Sequence, residues 1–352
     1  MTKINVKLSK DYDIIISPKA LELIGEKTRA LMPKARLIAV VTDDNVSGFY
    51  LDAVVKSLSE AGLKTLTYCI SPGEASKCAS VYVDLISWLA KNELTKTDAV
   101  LALGGGVVGD LAGFAAATYL RGISLIQVTT SLLAMVDSSV GGKVAIDLEE
   151  GKNLVGAFYQ PSLVICDTDT LSTLPQQFYN DGMAEVIKYG MLGGAEFLDE
   201  ILQLHESKDY ETLIAACVKM KRDIVQSDEF DENERRLLNF GHTIGHAIEK
   251  LSNYEISHGS AVAIGMVMMS RAAIRQELCP PECLDVLLGL LSYFGLPTKT
   301  EYSAEAIYEA ALRDKKRGGD FITIIIPTDM GKCELKKVSV RSLLEWIEMG
   351  FE

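Results

Sequence analysis

With 352 residues, 48% of them hydrophobic and 24% charged, the chain has the profile of a soluble two-domain globular enzyme, not of a disordered or fibrous protein. A net charge of -13 argues against a broad basic surface, so nucleic acid is not an expected partner. No apolar run reaches the roughly 18–20 residues of a membrane span, and the opening residues lack the apolar core of a secretory leader. The seven cysteines are odd in number and irregularly spaced, which argues against a disulfide framework and for a reducing cytoplasm.

In chain order, Leu37–Thr42 reads as a strand that ends in the turn Asp43-Asp44-Asn45. Thr65–Ile70 is a second strand, leading into Ser71-Pro-Gly-Glu-Ala-Ser-Lys77, and Asp98–Leu103 and Ile123–Val128 are a third and fourth. Continuous apolar strands separated by helical stretches predict a parallel sheet covered on both faces. Between the last two strands lies Gly104-Gly-Gly-Val-Val-Gly-Asp110, a G-x-G-x-x-G pattern between a strand and a helix. Glycines there let a backbone approach a pyrophosphate, and the helix N-terminus favours its charge. The acidic residue expected about 20 positions on is missing from Gly122–Thr129, so Asp43 or Asp44 is left to supply it. A tight packing turn is the plainer reading of the loop.

Apolar Leu132–Val136 runs into Asp137-Ser-Ser-Val-Gly-Gly-Lys143, and Glu149-Glu-Gly-Lys152-Asn153 follows. Lys143, Lys152 and the upstream Arg121 are cations suited to phosphate or carboxylate, or simply solvated charges. After Thr173-Leu-Pro175 the pattern turns helical, with helices expected at Glu211–Gln226, Arg235–Leu251 and Ala261–Arg275 and a short strand at Phe321–Pro327. A boundary near 175 gives an α/β domain at 1–175 with a Rossmann-like parallel sheet and a mainly α-helical domain at 176–352.

Three of the four histidines fall within one short segment of this second half. His242 and His246 are four apart and share a helix face, and His258 follows the loop Ser252–Ser257 and can fold back onto it. A divalent metal is one reading and a satisfied core pair the other. Spacing alone leaves the ligands open, with both His242 and His246 the obvious choice. Glu185 stands in an apolar helical stretch, where an unpaired carboxylate is costly. Either a metal or Lys188, one turn on, would answer that. His205 reads as structural, and Cys279 and Cys283 form no second pair that would make a zinc site.

Together these segments resemble the 3-dehydroquinate synthases. The stretches that carry the resemblance are Gly104–Ala116, Ser131–Lys143, Gly151–Gly156, Ala184–Gly190, Leu238–Glu249 and Asp314–Arg317, in the family's order over most of the chain. The resemblance implies conversion of 3-deoxy-D-arabino-heptulosonate 7-phosphate to 3-dehydroquinate and phosphate in the shikimate pathway. It implies NAD and a divalent metal, zinc or cobalt, in a cytoplasmic homodimer acting on a small anionic sugar phosphate.

Carried onto this sequence, the metal ligands are Glu185, His242 and His258, with His246 a proton-transfer residue and not a ligand. NAD falls to Asp44, Glu74, Lys77, Gly105, Gly106, Val107, Asp110, Thr130, Ser131, Lys152, Thr170 and Thr173. The substrate falls to Asp137, Lys143, Asn153, Lys188, Lys221, Asp231, Arg235, Asn239, His246 and Lys315 or Lys316, with Lys316 preferred. Arg121 is to reach the neighbouring subunit's site. Three positions depart from the family's pattern: Thr129 replaces a common Pro, Asp231 a common Glu, and Ser260 the Glu that often follows His-Gly. An inosose- or valiolone-type cyclase is the nearest rival, but the retained Val140-Gly-Gly-Lys143 and Asn239 favour the dehydroquinate enzyme. A metal-dependent polyol dehydrogenase is more distant.

Overall fold

The computed structural model describes residues 1–315 and 320–352, apart from the side chains of 313–315. The chain divides into two compact units, residues 1–175 with 209–226, and residues 176–208 with 227–352.

The first unit holds β1 (Thr2–Val6), β2 (Tyr12–Ser17), α1 (Ile24–Leu31), β3 (Leu37–Asp43), α2 (Asp44–Glu60), β4 (Lys64–Ile70) and α3 (Ala79–Lys91). It continues with β5 (Ala99–Gly104), α4 (Gly106–Thr118), β6 (Ser124–Thr129), β7 (Lys143–Leu148), β8 (Gly151–Phe158) and β9 (Leu163–Asp167). Seven strands form one sheet in the order β1-β2-β9-β6-β5-β3-β4. Only the β1–β2 pair is antiparallel. Alternation along the strands divides the core. Ala39, Val41, Val100 and Ala102 pack with α3 and α4 residues such as Leu85 and Leu111. Ile38, Val40, Leu101 and Leu103 pack with α1 and α2 residues such as Ile24 and Leu58. Both faces are thus covered, as continuous apolar strands require. The four anticipated strands are present, shifted by a residue at some ends. β1, β2, β9 and the antiparallel β7–β8 hairpin have no counterpart in the sequence reading.

After α5 (Gln176–Gly193) and α6 (Ala195–Glu206) comes α7 (Tyr210–Ser227). A single boundary at 175 leaves α7 on the wrong side, because residues 209–226 cluster with the first unit. The cause is polar. The Met1 ammonium and the Thr2 hydroxyl reach Glu211 at 2.9 and 2.7 Å, and the Lys7 amide donates to Gln226 at 2.7 Å.

The second unit continues with α8 (His242–Leu251), α9 (His258–Arg275), α10 (Pro281–Tyr293), α11 (Ala304–Lys315), the antiparallel hairpin β10 (Phe321–Asp329) and β11 (Lys332–Ser339), and α12 (Val340–Glu348). The expected helix Arg235–Leu251 is broken. Glu234–Asn239 is a 3-10 turn, and Gly241 follows with φ +80, so α8 starts at His242. A side chain at Gly241 would be strained, and its Cβ would lie 2.7 Å from the Val262 carbonyl oxygen. A Cβ at Gly265 would fall 2.0 Å from the Gly241 carbonyl oxygen. Bare backbone at these two positions lets α9 lie directly on the start of α8. Helix α9 begins at His258, three residues earlier than expected, because the chain enters it straight from the loop.

Candidate functional site

In the second unit, α5, α8 and α9 each bring one donor to a common point. Glu185 is fully buried in α5, His242 opens α8 and His258 opens α9. Nε2 of His242 and Nε2 of His258 each lie 3.6 Å from Glu185 Oε1, and the three donor atoms are within 4.8 Å of one another. Two tetrahedral zinc ligands about 2.05 Å from the ion stand about 3.4 Å apart, so the spacing fits a divalent cation. Lys188, one turn along α5 and equally buried, forms an ion pair with Oε2 of Glu185. Lys188 thus answers one side of the buried carboxylate, and Oε1 on the other side faces the two histidines.

The far nitrogens are fixed as well. Nδ1 of His242 lies 3.1 Å from the Phe240 carbonyl and Nδ1 of His258 lies 3.2 Å from Glu249 Oε2, leaving Nε2 toward Glu185 in both rings. This backing by a carbonyl and a carboxylate is the usual second support of a metal-binding imidazole. Burial and the Lys188 ammonium push the His242 pKa down to about 3, which keeps the ring neutral, the form that can bind a metal. Burial also opposes charge on His258, but the carboxylates of Glu249 and Glu185 outweigh it and raise its pKa to about 10. A cation there would take the proton's place.

His246, one turn along α8, sets its ring 5.3 Å from that of His242 and 5.9 Å from that of His258. It also shares a second possible donor group with Glu249 and His258. A cavity of about 480 Å³ opens beside these rings, lined by Asp231, Arg236, Asn239, His242, Thr243, His246 and residues of β10. Buried Arg235 is placed by Asp228, whose carboxylate accepts the amides of Glu232, Asn233 and Arg235 itself. Lys316 lies outside the described residues, as does the Lys315 side chain.

In the first unit the glycine-rich turn joins β5 to α4. A Cβ at Gly105 would stand 3.2 Å from the Ser131 hydroxyl oxygen, and one at Gly106 3.3 Å from that of Ser138. Thr130 donates its amide to the Gly104 carbonyl at 3.1 Å, holding the end of β6 beside the turn. Val107, in the first turn of α4, packs against the core. Asp43 is used as the cap of α2, accepting from the amides of Asn45 and Val46. Of the two acids at the end of β3, Asp44 is the one not spent on that cap. Thr170 and Thr173 lie on the turn after β9, where the Tyr50 hydroxyl meets both.

Beside the turn, Lys77 is buried among Glu74, Asp110 and Asp147 at 2.8, 3.2 and 3.7 Å and donates to Asn153 Oδ1 at 2.8 Å. Burial would lower the Lys77 pKa, yet these three carboxylates raise it. Burial lifts Asp110 to about 6 against the pull of Lys77. Lys152 reaches Glu74 at 3.3 Å. Lys221 of α7 donates to Asp137 Oδ1 at 2.8 Å and to its carbonyl. Lys143 is exposed at the head of β7, and Arg121 is exposed in a left-handed stretch, Leu120–Gly122.

Residues 67–181 match the model of the 3-dehydroquinate synthase N-terminal domain, and residues 182–317 match that of the C-terminal domain. The chain belongs to the 3-dehydroquinate synthase family. It is 43% identical to the 3-dehydroquinate synthase of Clostridium kluyveri, over 97% of this chain and 96% of that one. It is 42% identical to that of Enterococcus faecalis, over 95% of each. Among solved structures it is similar to a 2-deoxy-scyllo-inosose synthase complexed with carbaglucose-6-phosphate, NAD+ and Co2+, with a TM-score of 0.88 and 25% identity over 99% of this chain and 100% of that one. A butanol dehydrogenase from Thermotoga maritima, 17% identical over 96% of each chain with a TM-score of 0.67, shares the fold.

The departure at Ser260 can now be placed. Its amide donates to Asp181, and its hydroxyl donates to the Ser257 hydroxyl oxygen, which itself donates to Asp181. Ser260 thus sits in a cap at the start of α9, while the carboxylate behind His258 comes from Glu249. Sequence reasoning passed over Glu249, Asp181 and Asp147. For Glu249 a signal was present, since it follows His242 by seven residues and so lies on the same face of α8.

Proposed function

We propose that this chain is a 3-dehydroquinate synthase that converts 3-deoxy-D-arabino-heptulosonate 7-phosphate to 3-dehydroquinate and phosphate. The observation that carries the reading is the meeting of Glu185, His242 and His258, with His246 one turn away, in a chain of this family. When bound, NAD would supply a reversible hydride acceptor for a ring carbinol, and a divalent cation would supply Lewis acidity toward the carbinol and carbonyl oxygens.

Glu185, His242 and His258 would hold the cation, zinc or cobalt. The Gly105–Gly106 turn, Val107, Thr130 and Ser131 would receive the dinucleotide, with Asp44, Glu74, Lys77, Asp110, Lys152, Thr170 and Thr173. Lys143 and Lys221 of the first unit and Lys188 and Arg235 of the second would be the cations offered to phosphate and carboxylate by an acidic protein. Asp137, Asn153, Asp231 and Asn239 would orient the hydroxyls, and Lys316 is a further proposed contact. His246, close to the cation's ligands but outside the first donor group, moves protons during elimination and ring closure. Hydride is taken and returned within one turnover, so no outside oxidant or reductant is consumed.

Homodimer formation fits exposed Leu154, Val155 and Phe158 on β8 and exposed Leu120 beside Arg121, which would reach the neighbouring subunit's site. None of the helices among the described residues is long and apolar enough to cross a membrane, in keeping with action in the cytoplasm. A panel of heptulosonate phosphate, sedoheptulose 7-phosphate and glucose 6-phosphate tests the substrate. Phosphate release from the first alone is expected. Release from either of the others instead would move the chain to the inosose or valiolone type.

A further inference from the structure

The β7–β8 hairpin is irregular near its tip. Pairing is regular from Lys143↔Phe158 to Ile146↔Val155 and resumes at Leu148↔Gly151, so Asp147 alone on β7 stands opposite Lys152–Leu154 on β8, the strand that carries the extra residues. The Asp147 side chain is only 15% exposed and meets Asn153, in the middle of that bulged stretch, and Lys77. Oδ1 of Asp147 accepts the amide of Asn153 at 2.8 Å and lies 3.7 Å from the Lys77 ammonium. Lys77 closes the triangle by donating to Asn153 Oδ1 at 2.8 Å. Asn153 needs this support. Its φ is +55, in the left-handed region that non-glycine residues visit rarely, with asparagine among the more tolerant.

We propose that Asp147 is a positioning residue, which holds Asn153 and the Lys77 ammonium in one fixed arrangement through its side chain. Asn153 is read as a substrate residue and Lys77 as a cofactor residue, so the inference rests on the proposed function for what it positions. Asp147 itself has no contact assigned to either ligand. A purely structural role is already met elsewhere. The Asp147 amide donates to the Lys77 carbonyl at 2.7 Å, and Asp147 bridges to Cys78 through the backbone. These bonds survive any side-chain change, so the hairpin stays tied to the Lys77 loop when the carboxylate is removed.

The test uses the full chain, loaded with NAD and zinc, as wild type, Asp147→Ala and Asp147→Asn, each also in an Asn153→Ala background. Asp147→Ala should lower kcat/KM for the heptulosonate phosphate about tenfold or more, the usual range for losing a hydrogen bond to a charged group. Its Tm should stay within about 2 °C of wild type. Asp147→Asn should recover most of the activity, since its amide oxygen still accepts from Asn153. In the Asn153→Ala background, Asp147→Ala should cost much less than it does alone.

The proposal is overturned if Asp147→Ala stays within about twofold of wild type, if Asp147→Asn is as damaging as the alanine, or if the effects of Asp147→Ala and Asn153→Ala simply add. A wild type that turns over none of this phosphate would sink the functional reading instead. Amide hydrogen exchange at Asn153 would then decide the inference by itself. Faster exchange in Asp147→Ala supports it, and unchanged exchange overturns it.

Discussion

If Glu185, His242 and His258 hold a divalent cation as proposed, replacing Glu249 by alanine should weaken its binding while leaving those three residues in place. Glu249 is nearly fully buried in α8, and its Oε2 faces Nδ1 of His258 at 3.2 Å. Removing it costs a hydrogen bond between charged or polarised partners, about 1.5–3 kcal/mol, or roughly tenfold to a hundredfold in metal affinity. A second effect opposes the first. Glu249 also helps raise the His258 pKa to about 10, and a proton on that ring competes with the cation. Without Glu249 the proton is held less tightly, so the variant's deficit should narrow as pH falls and widen as it rises. Competition for Zn2+ against a chromophoric chelator at several pH values measures both effects. Glu249→Gln should lie between wild type and alanine, since an amide oxygen can still accept from Nδ1. Equal zinc affinity in wild type and Glu249→Ala at alkaline pH would refute the reasoning.

His246→Ala should keep stoichiometric zinc and lose turnover, checked by metal analysis beside phosphate release; loss of zinc as well would mean the donor set is misassigned. Asp98 is fully buried and accepts from the amides of Arg36, Leu37 and Thr95 and from the Thr95 hydroxyl, so Asp98→Ala should destabilise by roughly 3 kcal/mol or more in a denaturant titration. Burial alone would raise the Asp98 pKa, but these donors hold it below the usual carboxylate range. Its contribution is therefore complete above the unfolded-state value near 3.9 and disappears as pH falls through the lower folded value. The stability difference between wild type and Asp98→Ala should narrow toward strongly acid pH, and a constant difference down to that pH would contradict this. Gly265→Ala would press a methyl carbon onto the Gly241 carbonyl, with an expected cost of roughly 3 kcal/mol and a lower Tm.

The sheet was legible where its strands are apolar on both faces, as at Leu37–Thr42 and Asp98–Leu103. It was not legible at β1, a short strand that alternates with polar residues, nor at β2, whose apolar run Ile14–Ile16 is only three residues long, nor at β7 and β8, whose glycines and charges look like a loop. Helix α7 was expected as a helix, but nothing in its own periodicity says that Glu211 and Gln226 bind the N-terminal residues. Helical spacing placed His242 and His246 on one face without saying which of them faces Glu185. That is decided by Gly241 and by the turn before it, which start α8 at His242, and by the entry of α9 at His258. The Lys77 cluster was equally hidden, since its members are spread from position 74 to 153 and meet only in the folded chain, around the Lys77 ammonium.

The proposed reaction reduces and reoxidises the cofactor within each turnover. The most direct measurement follows inorganic phosphate and absorbance at 340 nm together, with the heptulosonate phosphate, catalytic NAD and zinc. Many phosphates should be released per NAD with no net rise at 340 nm, and chelation should abolish a release that zinc restores. NADH accumulating in step with substrate consumed, or phosphate release indifferent to chelation, would contradict it.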